Sequence, residues 1–297
     1  MRFHPIIGLM ILTLSLEGRS NSKDIEVPES TFDLAAHCAS SLAALPGTYD
    51  KTKLSDACDT VKTLPECKSV NDEVIFHFDS IAKKETAKRV LVIGVIHGDE
   101  PEGGSVTRRW MERLANINAR NSWRIVPLAN PDGWHAKTRM NANGVDLNRN
   151  FPSEDWERLA HKYWSERKNK DPRRNPGKAP GSEPETQCIM KHIADFKPDF
   201  IVAVHTPYGV LDFDGPKISQ PRFKSLPWVS LGTFPGSLGR YMWKDQKVPV
   251  LTVELKNDDL LKKIDAIDDL QDLAGTTAIR STNISSILKK GPDTKQN

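Results

Sequence analysis

Four short apolar runs, separated by longer stretches with helical periodicity, constrain the fold of this chain more than any other feature. A continuous apolar run is typical of a strand buried on both faces of a parallel sheet. Helices are expected between the runs at Gly104–Ile117, Glu183–Phe196 and Ser237–Gln246. This alternation predicts an α/β fold, a mainly parallel, twisted, mixed sheet with helices on both faces. The four runs are Val90–Ile96, Trp123–Ala129, Phe200–Val204 and Val248–Val253.

The first 20 residues have the pattern of a secretory signal peptide. Arg2 gives a weakly positive start, residues 5–16 carry no charge, and the small residues Gly18 and Ser20 allow cleavage after Ser20. The uncharged run is shorter than the roughly 20 residues that a membrane helix needs, so stable membrane insertion is not expected. A buried N-terminal helix is the alternative. The pattern favours an exported protein, periplasmic or secreted.

An exported chain would hold its cysteines as disulfides. The four are Cys38, Cys58, Cys67 and Cys188, which allow three connectivities. Two short helices are expected at Thr31–Leu45 and Lys53–Leu64, joined through Pro46-Gly47. In an antiparallel hairpin Cys38 and Cys58 lie about equally far from the turn, which favours a bond between them. Buried thiols and a cysteine metal site are the alternatives, and the absence of a C-x-x-C pair disfavours the metal site.

The chain divides into four predicted segments. Residues 1–20 are the signal peptide, 21–72 a small helical segment with cysteines, 73–290 the α/β domain and 291–297 a polar tail. Arg158–Lys178 holds eight Lys and Arg and is predicted to be an exposed loop or lid. A solvated charged surface is favoured there over a patch that binds anions. The net charge of +3 gives no indication of a nucleic-acid partner, and the oligomeric state is not predicted.

Chemically active side chains follow three of the predicted strands. His97 and Glu100 come after the first run, His205 directly follows the third, and Glu254 directly follows the fourth. Ligands of open parallel sheets bind at the carboxyl ends of the strands, so these four side chains should converge. Structural roles are the alternatives: a core histidine for His97, an acid at the start of a helix for Glu100, and an ion pair with Lys256 for Glu254.

Two histidines and one carboxylate form the ligand set of a catalytic zinc site that leaves a position open for water. His97 and Glu100 can both reach one cation because Gly98 allows a tight turn between them. His205 would complete the set, and one Zn²⁺ per chain is expected. Glu254 would then be the general base that takes a proton from water and passes it to the leaving amine.

Residues 130–152 read NPDGWHAKTRMNANGVDLNRNFP and are predicted to form a long binding loop. Their density of Asn, Gly, Asp and Arg lacks periodicity, which is typical of such loops. Arg139 and Arg149 supply fixed positive charge. One of them can stabilise an oxyanion, and the other can bind a carboxylate through two parallel hydrogen bonds. Structural bridges are the alternative reading for Asn141 and Asn143.

The order and spacing of these motifs resemble those of the zinc metallocarboxypeptidase family over about residues 73–275. HGDE at 97–100, NPDG at 130–133, NANGVDLNRNFP at 141–152 and PGSEPETQ at 180–187 are similar in particular to the murein peptide amidases. Those enzymes cut the bond between γ-D-glutamate and meso-diaminopimelate in peptidoglycan peptides. The resemblance implies a zinc carboxypeptidase-like fold and peptidoglycan-derived peptides as partners.

The resemblance also implies a role for each matching residue. The three expected metal ligands and Glu254 keep the roles given above. Arg139 would polarise the scissile carbonyl and hold its oxyanion, while Asn148 and Arg149 would anchor a substrate carboxylate. The family's substrate-capping tyrosine has Tyr241 as its candidate counterpart.

The far end of diaminopimelate is a zwitterion, and its recognition needs an acid for the ammonium and a base for the carboxylate. Asp212 and Asp214 are the candidate acids, and Arg240 is the candidate base. Three other functions stay open: a conventional metallocarboxypeptidase acting on C-terminal residues, an acyl-amino-acid deacylase, and a catalytically silent wall-binding protein. The presence of all expected ligands and the base argues against the silent protein.

Overall fold

The computed structural model describes residue 1, residues 32–256 and residues 259–289, with side chains up to residue 282. The chain divides at Phe32, and the fold described below is that of the unit that begins at Asp33. The predicted signal peptide, the start of the segment 21–72 and the polar tail 291–297 lie outside the described residues. None of the helices in the described part is both long enough and apolar enough to cross a membrane.

A seven-stranded mixed sheet forms the centre of the fold. Across the sheet the strands follow the order β1-β2-β4-β3-β5-β7-β6. The inner strands β4, β3, β5 and β7 are parallel, while β2 and β6 pair antiparallel with β4 and β7, and β1 pairs antiparallel with β2. The predicted α/β fold is confirmed, with the parallel pairing confined to the centre. The strands are β1 (Lys62–Lys68), β2 (Val74–Ser80), β3 (Arg89–Ile93), β4 (Ser122–Val126), β5 (Phe200–His205), β6 (Val210–Asp214) and β7 (Val250–Glu254).

Helices cover both faces of the sheet. On β3, Val90 and Val92 face the core cluster that includes α3 and α7, whereas Leu91 and Ile93 face the cluster that includes α6. Because successive strand residues point to opposite faces, an apolar run this continuous requires both faces to be covered. The helices are α1 (Leu34–Ala43), α2 (Lys51–Cys58), α3 (Pro101–Leu114), α4 (Pro131–Ala136), α5 (Trp156–Lys168), α6 (Pro184–Phe196) and α7 (Ile264–Lys289).

Two predictions about the helices are wrong. The second predicted helix, Lys53–Leu64, ends at Cys58, and the chain then pairs with β2 as β1, so the segment 21–72 is not purely helical. The predicted loop Arg158–Lys178 is helical up to Lys168, because α5 buries Trp156 and Ala160, which are one turn apart, against the interior.

Two disulfides tie the outer elements together. Cys38–Cys58 joins α1 to α2, which confirms the pairing that the hairpin argument favoured. Cys67–Cys188 joins the edge strand β1 to α6 across 121 residues of sequence. All four cysteines are buried.

Candidate active site

Polar residues at or just after the ends of three parallel strands lie at one edge of the sheet. β3 leads through a short loop to His97, β5 ends at His205 and β7 ends at Glu254. His205 and Glu254 are register partners on neighbouring strands, so they lie side by side. Convergence at the carboxyl edge, which the sequence predicts, is present in the structure.

His97, Glu100 and His205 form a buried trio whose donor atoms face one another. The two Nδ1 atoms lie 3.2 Å apart, and each lies 2.9 Å from one carboxylate oxygen of Glu100. Two ligand atoms of a tetrahedral zinc site are about 3.3 Å apart, given zinc–ligand distances of about 2.0–2.1 Å. The spacing and the donor set therefore fit a metal ion, and this trio is one of the groups in the described part of the chain that could hold one.

The loop that carries His97 is packed against the NPDG motif. A Cβ placed on Gly98 would lie 1.9 Å from the carbonyl carbon of Gly133, so only glycine fits at that close approach. Asn130 accepts a hydrogen bond from the backbone of Gly133 at 3.0 Å and donates to the carbonyl of Ile96 at 3.3 Å. Asn130 therefore fixes the turn that places His97.

Asp146 lies behind the trio and is fully buried. One carboxylate oxygen is 3.1 Å from Nε2 of His97 and accepts from the backbone of Asn148 at 3.0 Å, and the other accepts from Nε of Arg139 at 3.0 Å. Although burial acts to raise it, the charges of Arg139 and His97 hold the pKa of Asp146 well below its usual range. No pattern in the sequence points to Asp146, because its partner His97 lies 49 residues earlier and no local spacing links them.

Glu254 lies beside the trio and is 8% exposed. Its Oε2 is buried and has no hydrogen-bond partner among the described residues. Burial raises the pKa of Glu254 to about 7, with the charge of Glu100 adding to the effect and that of His205 opposing it. A carboxylate with a pKa near neutrality is suited to exchange protons with a substrate or water.

These side chains open onto a cleft of about 360 Å³. Arg149 forms part of its wall, packs over the ring of Phe234 with 4.6 Å between guanidinium and centroid, and buries an Nε that has no partner among the described residues. Burial lowers the pKa of Arg149 to about 10. The predicted site residues that line the cleft are His97, Glu100, Arg139, Asn148, Arg149, His205, Asp212, Asp214 and Glu254.

Arg240 and Tyr241 are not among the residues that line this cleft. They begin a short π-helical segment, Arg240–Asp245, where Arg240 forms an ion pair with Asp155. The ring of Tyr241 stacks on that of Phe151 with centroids 6.0 Å apart. The tyrosine that does line the cleft is Tyr208, which is 62% exposed and follows His205 by three positions.

The motifs at 141–152 and 180–187 contact each other through their Asn and Glu side chains. Asn141 donates to carboxylate oxygens of Glu183 at 2.9 Å and Glu185 at 2.8 Å. Asn150 accepts from the backbone of Glu183 at 3.1 Å. These contacts make Asn141 a structural bridge, and they hold the segment that carries Asn148 and Arg149 against α6.

A doubly wound fold with this trio, a poised carboxylate and an arginine-lined cleft defines the class of protein as a metal-dependent hydrolase. The family model for zinc carboxypeptidases, Peptidase_M14, matches residues 60–213. The match covers more than half of the chain, and the chain belongs to this family.

The curated relatives include murein peptide amidases and carboxypeptidases. Murein peptide amidase A of Escherichia coli K12 is 36% identical over 124 residues, which cover 41% of this chain and 50% of the relative. The protein of the same name from Vibrio campbellii is 30% identical over 196 residues, covering 63% of this chain and 77% of the relative. The chain thus spans about half the length of the Escherichia coli relatives it matches.

Solved structures agree with this placement. The murein-tripeptide amidase of Escherichia coli O157 superposes with a TM-score of 0.52 at 27% identity, covering 71% of this chain and 90% of that chain. Bovine thrombin-activatable fibrinolysis inhibitor, in complex with a tick carboxypeptidase inhibitor, has a TM-score of 0.58 at 16% identity, covering 88% of this chain and 98% of that one. The second likeness shows the fold alone.

Proposed function

We propose that this protein is an exported zinc-dependent amidase that hydrolyses the γ-D-glutamyl–meso-diaminopimelate bond of peptidoglycan peptides. The observation that carries the proposal is one cleft that holds the trio, the carboxylate of Glu254 and, on β6, the acid pair Asp212 and Asp214. Likeness to murein peptide amidases supports the substrate class. The two buried disulfides support export, because disulfides persist in oxidising compartments.

His97, Glu100 and His205 would hold a single zinc ion per chain. Zinc, when bound, acts as a Lewis acid that polarises a carbonyl and lowers the pKa of water. Asp146 orients the ring of His97 through Nε2, as carboxylates commonly do for histidines that bind metals. The family implies zinc, and the spacing of the trio is consistent with it.

Glu254 would take the proton of the attacking water and deliver it to the leaving amine of diaminopimelate. Its Oε2, which has no partner among the described residues, and its raised pKa suit that exchange. Arg139 would hold the developing oxyanion, since Asp146 and Glu100 fix its guanidinium through bonds of 3.0 and 3.2 Å. Proton transfer by a positioned general base such as Glu254 accelerates hydrolysis by about 10²–10⁴-fold.

Asn148 and Arg149 would anchor the carboxylate next to the scissile amide. Arg149 is suited to this task because its guanidinium lines the cleft, is buried and has no carboxylate bound to it among the described residues. Asp212 and Asp214 would bind the far ammonium of diaminopimelate. Tyr208, which lines the cleft, replaces Tyr241 as the candidate for a capping tyrosine.

The test is the product formed from L-Ala-γ-D-Glu-meso-diaminopimelate by the zinc-loaded protein. Mass spectrometry should detect free diaminopimelate and the L-Ala-D-Glu dipeptide. A conventional carboxypeptidase would instead release C-terminal residues from ordinary α-peptides, and a deacylase would cleave N-acyl amino acids. Activity on either of those substrates with none on the tripeptide would overturn the proposal, as would zinc binding without hydrolysis of any of the three.

A further inference from the structure

A basic turn that lines the cleft has no role in the proposed hydrolysis. After α5 the chain forms a single 3-10 turn, Pro172–Arg174, that returns toward the site. Three of the eight basic residues of the segment 158–178 line the cleft: Lys168, Arg173 and Arg174. The sequence favoured a solvated charged surface here, and these three side chains require a different account.

The backbone of this turn is fixed in place. The indole of Trp164 donates to the carbonyl of Asp171 at 2.7 Å, and the backbone of Arg174 donates to the same carbonyl at 2.9 Å. Asn175, the next residue, accepts from the backbone of Asp146 at 2.8 Å. Arg174 is therefore held against the loop that carries the anchor residues, which is unlike a residue on a loose solvated surface.

Of the three cations, Arg174 is the one without a side-chain partner among the described residues. Arg173 is ion-paired with Asp99 at 2.7 Å, and the ammonium of Lys168 lies 5.7 Å from the ring centroid of Tyr163. Arg174 is half-buried and has no ion pair or side-chain hydrogen bond among the described residues. A half-buried guanidinium left in this state is ready to accept a bidentate anion.

Arg174 also acts on the buried Arg149. Burial lowers the pKa of Arg149; the charge of Asp146 opposes this, and the charges of Arg139 and Arg174 add to it. Nε of Arg149 is buried and has no partner among the described residues. A ligand with two carboxylates would stabilise both Arg149 and Arg174, because a single ligand carboxylate bound to Arg149 leaves the charge of Arg174 without a counter-charge.

The same cleft also carries the complementary charge. Asp212 and Asp214 are two residues apart on β6, and neither forms an ion pair among the described residues. The cleft thus presents a cation at Arg149, an acid pair at β6 and a second cation at Arg174. A ligand that matches it carries one carboxylate, one ammonium and a second carboxylate.

We propose that Arg174 is a specificity-determining residue that binds the second carboxylate of a diamino diacid at the leaving-group side of the scissile bond. This inference rests on the proposed function. Meso-diaminopimelate fits the three charges: its near carboxylate goes to Arg149, its far ammonium to Asp212 and Asp214, and its far carboxylate to Arg174. Lysine lacks the far carboxylate, so it would leave Arg174 uncompensated.

The test compares two tripeptides that differ only in the far carboxylate of diaminopimelate, which is either free or amidated. The amide is nearly isosteric but uncharged. The wild-type protein should prefer the free acid by about 10- to 100-fold in kcat/KM, the range expected for one charge-assisted hydrogen-bonded pair. In Arg174→Gln this preference should fall toward 1, and Arg174→Lys should retain an intermediate value. Arg167→Gln removes an exposed cation of α5 outside the cleft and should keep the wild-type preference.

The outcomes test the role of Arg174 and the proposed amidase function separately. A wild-type preference that survives in Arg174→Gln overturns the role of Arg174, and so does a preference that is lost in Lys168→Gln instead. Equal cleavage of both tripeptides by the wild type also overturns it, although the proposed function would then stand. Failure to cleave either tripeptide sinks the proposed function and this inference with it.

Discussion

The carboxylate of Asp146 lies 3.1 Å from Nε2 of His97, on the side of the ring opposite the Nδ1 that faces Glu100. The same carboxylate holds Arg139 at 3.0 Å. One buried acid thus sets the orientation of a proposed metal ligand and of the proposed oxyanion holder. Although Asp146 is fully buried, the charges of Arg139 and His97 hold its pKa low, so it keeps its negative charge across the neutral range.

Asp146→Asn should weaken zinc binding by about 10- to 100-fold, the usual effect of losing a carboxylate that orients a histidine ligand. The measurement is a zinc titration in competition with a chromophoric chelator. Asp132→Asn is the matched control, since it removes a buried carboxylate that is bonded to Ser69 and Asn71 instead of the trio. Equal zinc affinity in Asp146→Asn and wild type would show that His97 does not depend on Asp146.

Glu254→Gln should keep zinc and the fold but lose about 10²–10⁴-fold in kcat, because the amide cannot accept the proton of water. His205→Ala should instead lower the zinc content, since it removes one of three proposed ligands. Zinc content and turnover on the tripeptide are measured for both variants. A zinc-loaded Glu254→Gln protein that retained the wild-type rate would exclude Glu254 as the base.

The position of the candidate site could be predicted because His97, His205 and Glu254 each directly follow an apolar run. His205 and Glu254 end their strands, so the sheet alone brings them together. The sheet gives no such guide to Arg240 and Tyr241, so the sequence could not show that they lie outside the cleft. Their direction depends on a π-helical turn and on contacts with Asp155 and Phe151, which come from a distant part of the sequence.

The helix α5 was missed although its sequence contains a signal for it. Trp156, Ala160 and Trp164 recur at intervals of four residues, as the inner positions of an amphipathic helix do. Eight basic residues and the nearby Pro172 obscured that spacing. Asp146 had no such signal, because its role depends on contacts with His97 and Arg139 that only the folded chain makes.

Arg108→Met should destabilise the protein by about 3 kcal/mol, because it removes several charge-assisted hydrogen bonds to carbonyl groups at the end of α1 and in the turn after it. Arg108 is 1% exposed and donates to the carbonyls of the turn between α1 and α2, at 2.7 Å for Leu42 and 2.8 Å for Pro46. Urea unfolding with intact disulfides measures the change. Arg89→Met, which removes a partly exposed ion pair with Asp199, should cost less than about 1 kcal/mol. Equal losses in the two variants would contradict the role of Arg108.

His192 should make the folded protein less stable as the pH falls below about 6.5. It is fully buried beside His77, and burial, with the charges of His77 and Arg124, lowers its pKa to about 3. The unfolded chain therefore binds the extra proton between about pH 6.5 and 3, and stability falls by up to about 1.4 kcal/mol per pH unit in that window.

The readout for His192 is the slope of unfolding free energy against pH, measured in urea with chelator present so that zinc does not contribute. His192→Leu cannot take up a proton and should give a shallower slope between pH 6.5 and 4.5. His161→Asn removes an exposed histidine and should keep the wild-type slope. Identical slopes in His192→Leu and wild type would mean that another group is responsible.

Asp214 should make the recognition of the far ammonium depend on pH. Burial raises the pKa of Asp214 to about 6, and the charge of Asp212 adds to the effect. Above that pKa the carboxylate is ionised and attracts the ammonium, whereas below it the neutral acid does not. The suitable comparison is the tripeptide with diaminopimelate against the same tripeptide with 2-aminopimelate, which keeps both carboxylates and lacks only the far amine.

The ratio of kcat/KM for these two tripeptides should rise as the pH increases from 5 to 7 and then become constant. The midpoint of the rise should lie near the pKa of Asp214 in the protein without substrate. The titration of Glu254 affects both substrates alike and cancels in the ratio, so the rise reports on the ammonium site. In Asp214→Asn the ratio should be lower and its rise with pH smaller, because only Asp212 remains to attract the ammonium. A wild-type ratio that stays constant from pH 5 to 8, or a rise in Asp214→Asn equal to that of the wild type, would place the far ammonium elsewhere. The acid pair on β6 would then have to be explained by its effect on the stability of the fold.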